Sequence, residues 1–104
     1  MTECFVIASG TSDRHTKNIA EKIRLALKEI GEKPNNSSAT LKHNNEKTEW
    51  VILDYGNIVI HVFYEPTRQY YKLDELWEDA KEIPFDKETE EMAKKLRTGI
   101  YSGL

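Results

Sequence analysis

The stretch Phe5-Val6-Ile7-Ala8-Ser9-Gly10-Thr11-Ser12-Asp13-Arg14 decides how this chain folds. An apolar run rich in β-formers ends at Ser9-Gly10, which predicts a buried strand followed by a tight turn. Ser12 or Asp13 then stands where a side chain caps a helix by accepting hydrogen bonds from its first N–H groups. A strand, a turn and the start of a helix, in this order, indicate an α/β protein.

The helix after this turn is marked by apolar residues at helical spacing, which are Ile19, Ile23, Ala26, Leu27 and Ile30. Gly31 follows the last of them, as is typical of a left-handed residue just past a helix C-terminus. A helix is therefore predicted up to Ile30.

A β-hairpin is predicted further along the chain. Two apolar runs, residues 50–53 and 58–63, flank Asp54-Tyr55-Gly56-Asn57. The Gly-Asn pair favours a tight turn between them. Successive residues of the second run are nearly all apolar, which predicts a central strand that is covered on both faces.

Shorter elements follow the hairpin. Pro66 is typical of a helix start, and Leu73, Leu76 and Trp77 have the i, i+3, i+4 spacing of a second helical turn. Residues 86–97 predict a solvent-facing helix with a narrow apolar stripe.

These elements predict one α/β domain over residues 1–80, built on a mixed sheet with flanking helices. Residues 81–104 are predicted to form a charged, partly helical tail. Residues 32–47 are polar and predict a mobile loop with at most a short strand near Thr40. The end of the tail beyond Gly99 is expected to be mobile as well.

Composition narrows the class of protein. With 104 residues the chain can bury one core, and its net charge of −3 disfavours a nucleic-acid-binding surface, so no direct DNA binding is expected. It lacks an apolar run long enough to span a membrane, and its first residues do not resemble a signal peptide. The single Cys4 suits a reducing compartment, so we expect a cytoplasmic protein.

The Ser9-Gly10 turn permits two interpretations. It is either a helix cap and tight turn, or a phosphate cradle in which backbone N–H groups hold an anion, as in a nucleotidyltransferase. Nucleotidyl transfer needs two or three carboxylates on neighbouring strands to hold Mg²⁺, and the hairpin offers only Asp54 at its end. The cap is the favoured interpretation, and a nucleotide-binding enzyme is kept as the alternative.

Metal binding is not indicated by the histidines. His15, His43 and His61 fall on a helix start, a loop and a strand, without a recognisable ligand spacing. His61 is expected to pack on the sheet with a hydrogen-bonded ring nitrogen. No metal, no cofactor and no catalytic residue is predicted.

Aromatic residues are concentrated between residues 50 and 77. Tyr71 and Trp77 either line the core or contribute to an interface. Trp50 precedes the apolar run at the edge of a loop, where an aromatic ring serves as an interface anchor as readily as a core residue.

Three blocks of sequence, residues 5–14, 49–56 and 68–77, together resemble the ribosomal silencing factor family, also called Iojap. The resemblance implies a nucleotidyltransferase-like topology without the active site of that fold. It also implies a binding protein and not an enzyme. The partner would be the large ribosomal subunit, through its protein number fourteen in the universal scheme, and binding would block small-subunit joining and repress translation. A homodimer is a further partner that the resemblance allows.

The resemblance assigns a set of residues to partner binding, which are Trp50, Asp54, Tyr55, Gly56, Arg68, Tyr70, Tyr71 and Trp77. The chain departs from the family pattern at several points. The helix and strand that usually precede the first block are expected to be missing. Asn57 stands where the family usually has Asp, and Glu78 replaces a usual glycine.

Overall fold

The computed structural model describes residues 4–35, 39–42, 48–78, 80–84, 86–95 and 98–102. Its strands are β1 (Cys4–Gly10), β2 (Ala39–Lys42), β3 (Thr48–Asp54), β4 (Ile58–Tyr64), β5 (Lys81–Ile83) and β6 (Gly99–Ser102). Its helices are α1 (Asp13–Glu29), α2 (Glu65–Tyr70), a 3₁₀ helix (Leu73–Trp77) and α3 (Lys87–Lys95). Within these ranges, none of the helices combines the length and the apolar character needed to cross a membrane.

The described strands form one mixed sheet in the order β2-β3-β4-β1-β6-β5. β1 and β4 are parallel, whereas the other neighbouring pairs are antiparallel. The register places Cys4 beside Ile58 and Gly10 beside Tyr64. The β3–β4 turn therefore lies at one end of the sheet and the turn after Gly10 at the other. The predicted α/β fold, the hairpin and the central position of β4 are confirmed.

α1 begins and ends as its sequence predicts. Ser12 Oγ accepts a hydrogen bond from the N–H of His15 at 3.0 Å, which caps the N-terminus. At the other end Gly31 has φ +88°, and the N–H of Glu32 donates to the carbonyl of Leu27 at 2.9 Å. Local chemistry is thus sufficient to set both ends of this helix.

Two clusters of apolar side chains cover the two faces of the sheet. On the first face α1 packs against β3 and β4, with a buried set of Ala20, Val51, Leu53, Ile60 and Val62. On the second face the 3₁₀ helix supplies one residue of the set Phe5, Ile7, Phe63 and Leu73. Alternation along each strand sends neighbouring residues to opposite faces, so both faces of the central strands are apolar.

The structure adds strands that the sequence did not predict. β5 and β6 flank α3, and β6 pairs with β1 from Cys4 beside Ser102 to Ile7 beside Gly99. Residues 99–102, expected in a mobile tail, are therefore part of the sheet. The boundary at residue 80 stays a prediction. The predicted loop allowed at most a short strand near Thr40, and β2 is that strand, whereas residues 36–38 and 43–47 of the loop lie outside the described residues.

Candidate functional site

Two exposed tyrosines mark the end of α2. The side chains of Tyr70 and Tyr71 are 79% and 61% exposed, and their rings meet edge to face with centroids 4.9 Å apart. The next residue, Lys72, adopts the left-handed conformation with φ 51° and ψ 44°. This turn allows Leu73 to enter the core directly after the three exposed residues Tyr70, Tyr71 and Lys72.

Trp50 lies close to these tyrosines, within β3. Its ring centroid is 4.8 Å from that of Phe63, and its Nε1 donates a hydrogen bond to His61 Nδ1 at 3.1 Å. The sequence placed Trp50 at a loop edge, which is wrong because β3 already begins at Thr48. The half-buried indole therefore packs on the sheet with one side and faces outward with the other.

His61 is the hydrogen-bonded sheet histidine that the sequence predicted. Because its Nδ1 accepts the indole N–H of Trp50, the ring is neutral at that nitrogen. Burial lowers the pKa of His61 below its usual value, since a charged imidazolium is poorly solvated there. The neutral His61 ring is therefore able to accept the hydrogen bond from the Trp50 indole, and this bond holds the two side chains together.

A concavity of about 390 Å³ opens between these elements and is lined by Glu49, Trp50, Thr67, Tyr71 and Leu73. We call Trp50, Tyr70 and Tyr71, together with this concavity, the aromatic surface. The sequence did not single out Glu49 or Thr67 as site residues. Their position was the only indication of a role at the site, since Glu49 begins the block of residues 49–56 and Thr67 directly precedes the block of residues 68–77.

Arg68 is enclosed in the fold and not part of its outer surface. The residue is 4% exposed. Its Nη1 donates to Ser9 Oγ at 2.7 Å, and its Nη2 donates to Asp74 Oδ1 at 2.6 Å. A residue buried in this way has little area to offer a partner, so its place among the contact residues needs a different explanation.

The hairpin residues of the predicted site lie elsewhere. Asp54 Oδ1 accepts the N–H of Gly56 at 2.8 Å, and Gly56 has φ +87°, so these two residues build the turn. The hydroxyl of Tyr55 is buried, and this burial raises the pKa of Tyr55. Four residues of extended strand separate Asp54 from Trp50, roughly 13 Å.

Trp77, the remaining predicted site residue, ends the 3₁₀ helix, and its side chain lies outside the described part of the structure. The structure thus brings Trp50, Tyr70 and Tyr71 together in the aromatic surface. It places the hairpin residues at the other end of the sheet.

Ser9 and Gly10, predicted to form a turn, are instead the last residues of β1, and atoms of the chain itself pack around them. Ser9 is 6% exposed, and its hydroxyl accepts the bond from Arg68. A Cβ added to Gly10 would lie 2.5 Å from Thr16 Oγ1 and 2.6 Å from the Thr16 nitrogen. The glycine is therefore explained by the close approach of α1. Among the residues that the structure describes, no three His, Cys, Asp or Glu side chains are grouped to hold a metal ion.

A family model described as ribosomal silencing factor during starvation matches residues 1–100. The chain belongs to the ribosomal silencing factor family. The resemblance seen in the three sequence blocks is confirmed.

Individual relatives of this silencing factor chain agree with that assignment. It is 32% identical over 80 residues to the ribosomal silencing factor RsfS of Bacillus subtilis, covering 77% of the chain and 64% of that protein. It is 34% identical over 76 residues to RsfS of Chromobacterium violaceum, covering 73% of the chain and 58% of that protein. A mouse protein named mitochondrial assembly of ribosomal large subunit protein 1 is 32% identical over 76 residues, which cover 73% of the chain and 32% of that protein. The chain spans less than two-thirds of the length of these three relatives.

Solved structures give the same α/β fold. A crystal structure from Chromobacterium violaceum matches with a TM-score of 0.58 and 33% identity, covering 79% of this chain and 63% of that one. A second, from Bacillus halodurans, matches with a TM-score of 0.51 and 32% identity, covering 70% and 65%.

Proposed function

We propose that this silencing factor binds the large ribosomal subunit, prevents the small subunit from joining, and so represses translation. Membership of the family supports this function, and the aromatic surface is the observation that supports a docking role for particular residues. Tyr71 and Tyr70 expose most of their side chains beside the half-buried Trp50. Tyrosine and tryptophan are favoured interface anchors because they bury a large area at a small cost in side-chain entropy.

The concavity gives the aromatic surface a shape for docking. Its volume of about 390 Å³ lies between Trp50 and Tyr71, with Leu73 among its lining residues. A bulky apolar side chain of the partner would fit between the rings of Trp50 and Tyr71 and become buried from solvent. Interfaces gain most of their free energy from a few such buried anchors.

Charge favours a basic partner. Glu49 lines the concavity, and the exposed residues Glu75 and Glu78 lie on or directly after the 3₁₀ helix. The whole chain carries a net charge of −3. Complementary charge steers association and fixes orientation, so a basic ribosomal protein suits this acidic chain. The proposed partner is protein number fourteen of the large subunit in the universal scheme.

Steric exclusion, without a chemical step, is the proposed mechanism. A bound silencing factor would occupy the face that receives the small subunit. The surroundings of Ser9 and Gly10 support this interpretation over the nucleotide-binding alternative, because Arg68 already bonds the Ser9 hydroxyl and Thr16 packs against Gly10. Saturable binding of a nucleoside triphosphate with Mg²⁺ would overturn this choice.

Tyr71→Ala tests the docking role directly. We expect the variant to lose about tenfold or more in affinity for isolated large subunits in co-sedimentation, because truncating an anchor residue typically costs at least 1–2 kcal/mol. Its thermal midpoint should change little, since Tyr71 is 61% exposed. Subunit joining, followed on sucrose gradients, should be inhibited less by the variant than by the unaltered protein.

Leu25→Ala is the matched control. Leu25 is another exposed large apolar residue, 47% accessible, but it lies on α1, which covers the opposite face of the sheet. This variant should bind large subunits as the unaltered protein does. Equal losses for Leu25→Ala and Tyr71→Ala, or no loss for either, would contradict a docking role for the aromatic surface.

A further inference from the structure

Arg68 is a positive charge that is almost completely enclosed, at 4% exposure. A buried guanidinium is tolerated only when its N–H groups are paired and hydrogen-bonded, because it has given up its hydration. Its partners therefore indicate why an arginine stands at this position.

The guanidinium joins three elements of the fold. Nη1 donates to Ser9 Oγ at 2.7 Å, at the end of β1. Nε and Nη2 donate to Asp74 Oδ1 at 3.1 and 2.6 Å, in the 3₁₀ helix. Arg68 itself belongs to α2. The rigid planar fork of an arginine fixes the relative position of its partners more strictly than the single ammonium of a lysine.

The segment between Arg68 and Asp74 carries the exposed half of the aromatic surface. It contains Tyr70, Tyr71 and the left-handed Lys72. The two exposed tyrosines contribute little packing to hold the segment in place, and Leu73 is the one residue between Arg68 and Asp74 that reaches the core. The Arg68–Asp74 ion pair closes this loop, and the bond to Ser9 fastens it to the sheet.

We propose that Arg68 is a positioning residue of the aromatic surface, which holds Tyr70 and Tyr71 in their docking geometry through Ser9 and Asp74 and does not itself touch the partner. This inference rests on the proposed function. A positioning role explains why Arg68 belongs to the block of residues 68–77, which the resemblance attributes to partner binding, although the Arg68 side chain is enclosed.

Ser9→Ala is the decisive variant. Ser9 is 6% exposed and cannot serve as a contact residue, yet its loss removes one of the bonds that fasten Arg68. If only a fraction of molecules then holds the docking geometry, the apparent affinity is reduced to that fraction of its original value, and we expect a loss of about three- to tenfold for isolated large subunits. In the free protein, amide exchange at Tyr71 and Lys72 should speed up, since their N–H groups donate to the carbonyls of Thr67 and Gln69 at 3.1 Å, at the end of α2.

Thr16→Val is the control for a general loss of stability. It also removes a wholly buried hydroxyl near the same turn, one that donates to the carbonyl of Ser12 at 2.8 Å, at the start of α1. Thr16→Val should keep full affinity and unaltered exchange at Tyr71, even where its thermal midpoint drops as far as that of Ser9→Ala. Equal affinity losses in the two variants would overturn the positioning role.

Two further variants complete the test. Arg68→Lys keeps the charge but cannot bond Ser9 and Asp74 through a planar fork, so it should lose affinity as Ser9→Ala does. Asp74→Asn, at a side chain that is 48% exposed, should fold and show the same faster exchange even if Ser9→Ala does not fold. Unaltered exchange in Asp74→Asn would overturn the inference.

If Tyr71→Ala binds normally, the docking site itself is wrong. If Tyr71→Ala loses binding while Ser9→Ala and Arg68→Lys retain it, only the role of Arg68 is wrong.

Discussion

Replacing Trp50 with alanine should weaken folding and docking together. Removing a wholly buried tryptophan costs about 3–5 kcal/mol, and Trp50 is half-buried, so we expect about 2 kcal/mol from lost packing on Phe63. Loss of the indole N–H leaves His61 Nδ1 without this donor and adds up to about 1 kcal/mol. For a domain of this size the sum lowers the thermal midpoint by roughly 10–20 °C.

Docking can still be measured on this variant. A loss of about 2–3 kcal/mol leaves a domain of ordinary stability, about 5–15 kcal/mol, folded at room temperature. At that temperature we expect Trp50→Ala to lose about thirty-fold in affinity for isolated large subunits, because it removes one wall of the concavity. Circular dichroism melting and co-sedimentation on the same preparation give the two quantities.

Trp50→Phe separates the two contributions. Phenylalanine keeps a ring against Phe63 but cannot donate to His61, so it should lower the midpoint by only about 5 °C. Its affinity should fall far less than that of Trp50→Ala. An unchanged midpoint for Trp50→Ala would refute the packing described for the indole, and unchanged affinity would remove Trp50 from the docking surface.

Three further predictions test the fold around the site. Gly10→Ala should lower the free energy of unfolding by about 2–3 kcal/mol, because the new Cβ meets Thr16, and an unchanged midpoint would contradict the close approach of α1. Lys72→Gly should raise the midpoint by relieving a left-handed conformation that costs about 1 kcal/mol, whereas Lys72→Val should lower it, and the reverse order would count against the turn. Because burial lowers the folded-state pKa of His61, the unfolded chain takes up the proton first as pH falls. Stability should therefore decrease below about pH 6.5, and a titration in urea should show His61→Gln with a flatter slope there.

The elements that the sequence predicted well are those set by local chemistry. Ser12 and Gly31 bound α1 because a hydroxyl cap and a left-handed glycine are recognisable in any context. The β3–β4 hairpin was predicted for the same reason, from Gly56 between two apolar runs.

The elements that it missed depend on distant partners. β5 is three exposed residues long and has Ile83 as its only apolar residue, so its pairing with β6 leaves no periodic pattern. The burial of Arg68 is equally invisible locally, because Ser9 lies 59 residues away along the chain. Trp50 and His61 are diagonal neighbours, which only the register of β3 and β4 reveals.

That register explains how hairpin residues bear on the proposed docking surface from the other end of the sheet. Asp54 and Gly56 form the turn that aligns β3 with β4, and this alignment sets Trp50 opposite Phe63. Because side chains alternate along a strand, a slip of one residue would turn Trp50 toward the α1 face and remove it from the concavity. The turn and the Arg68 contacts therefore act in the same way from opposite ends of the sheet. In the proposed docking role, each would fix the position of an aromatic anchor.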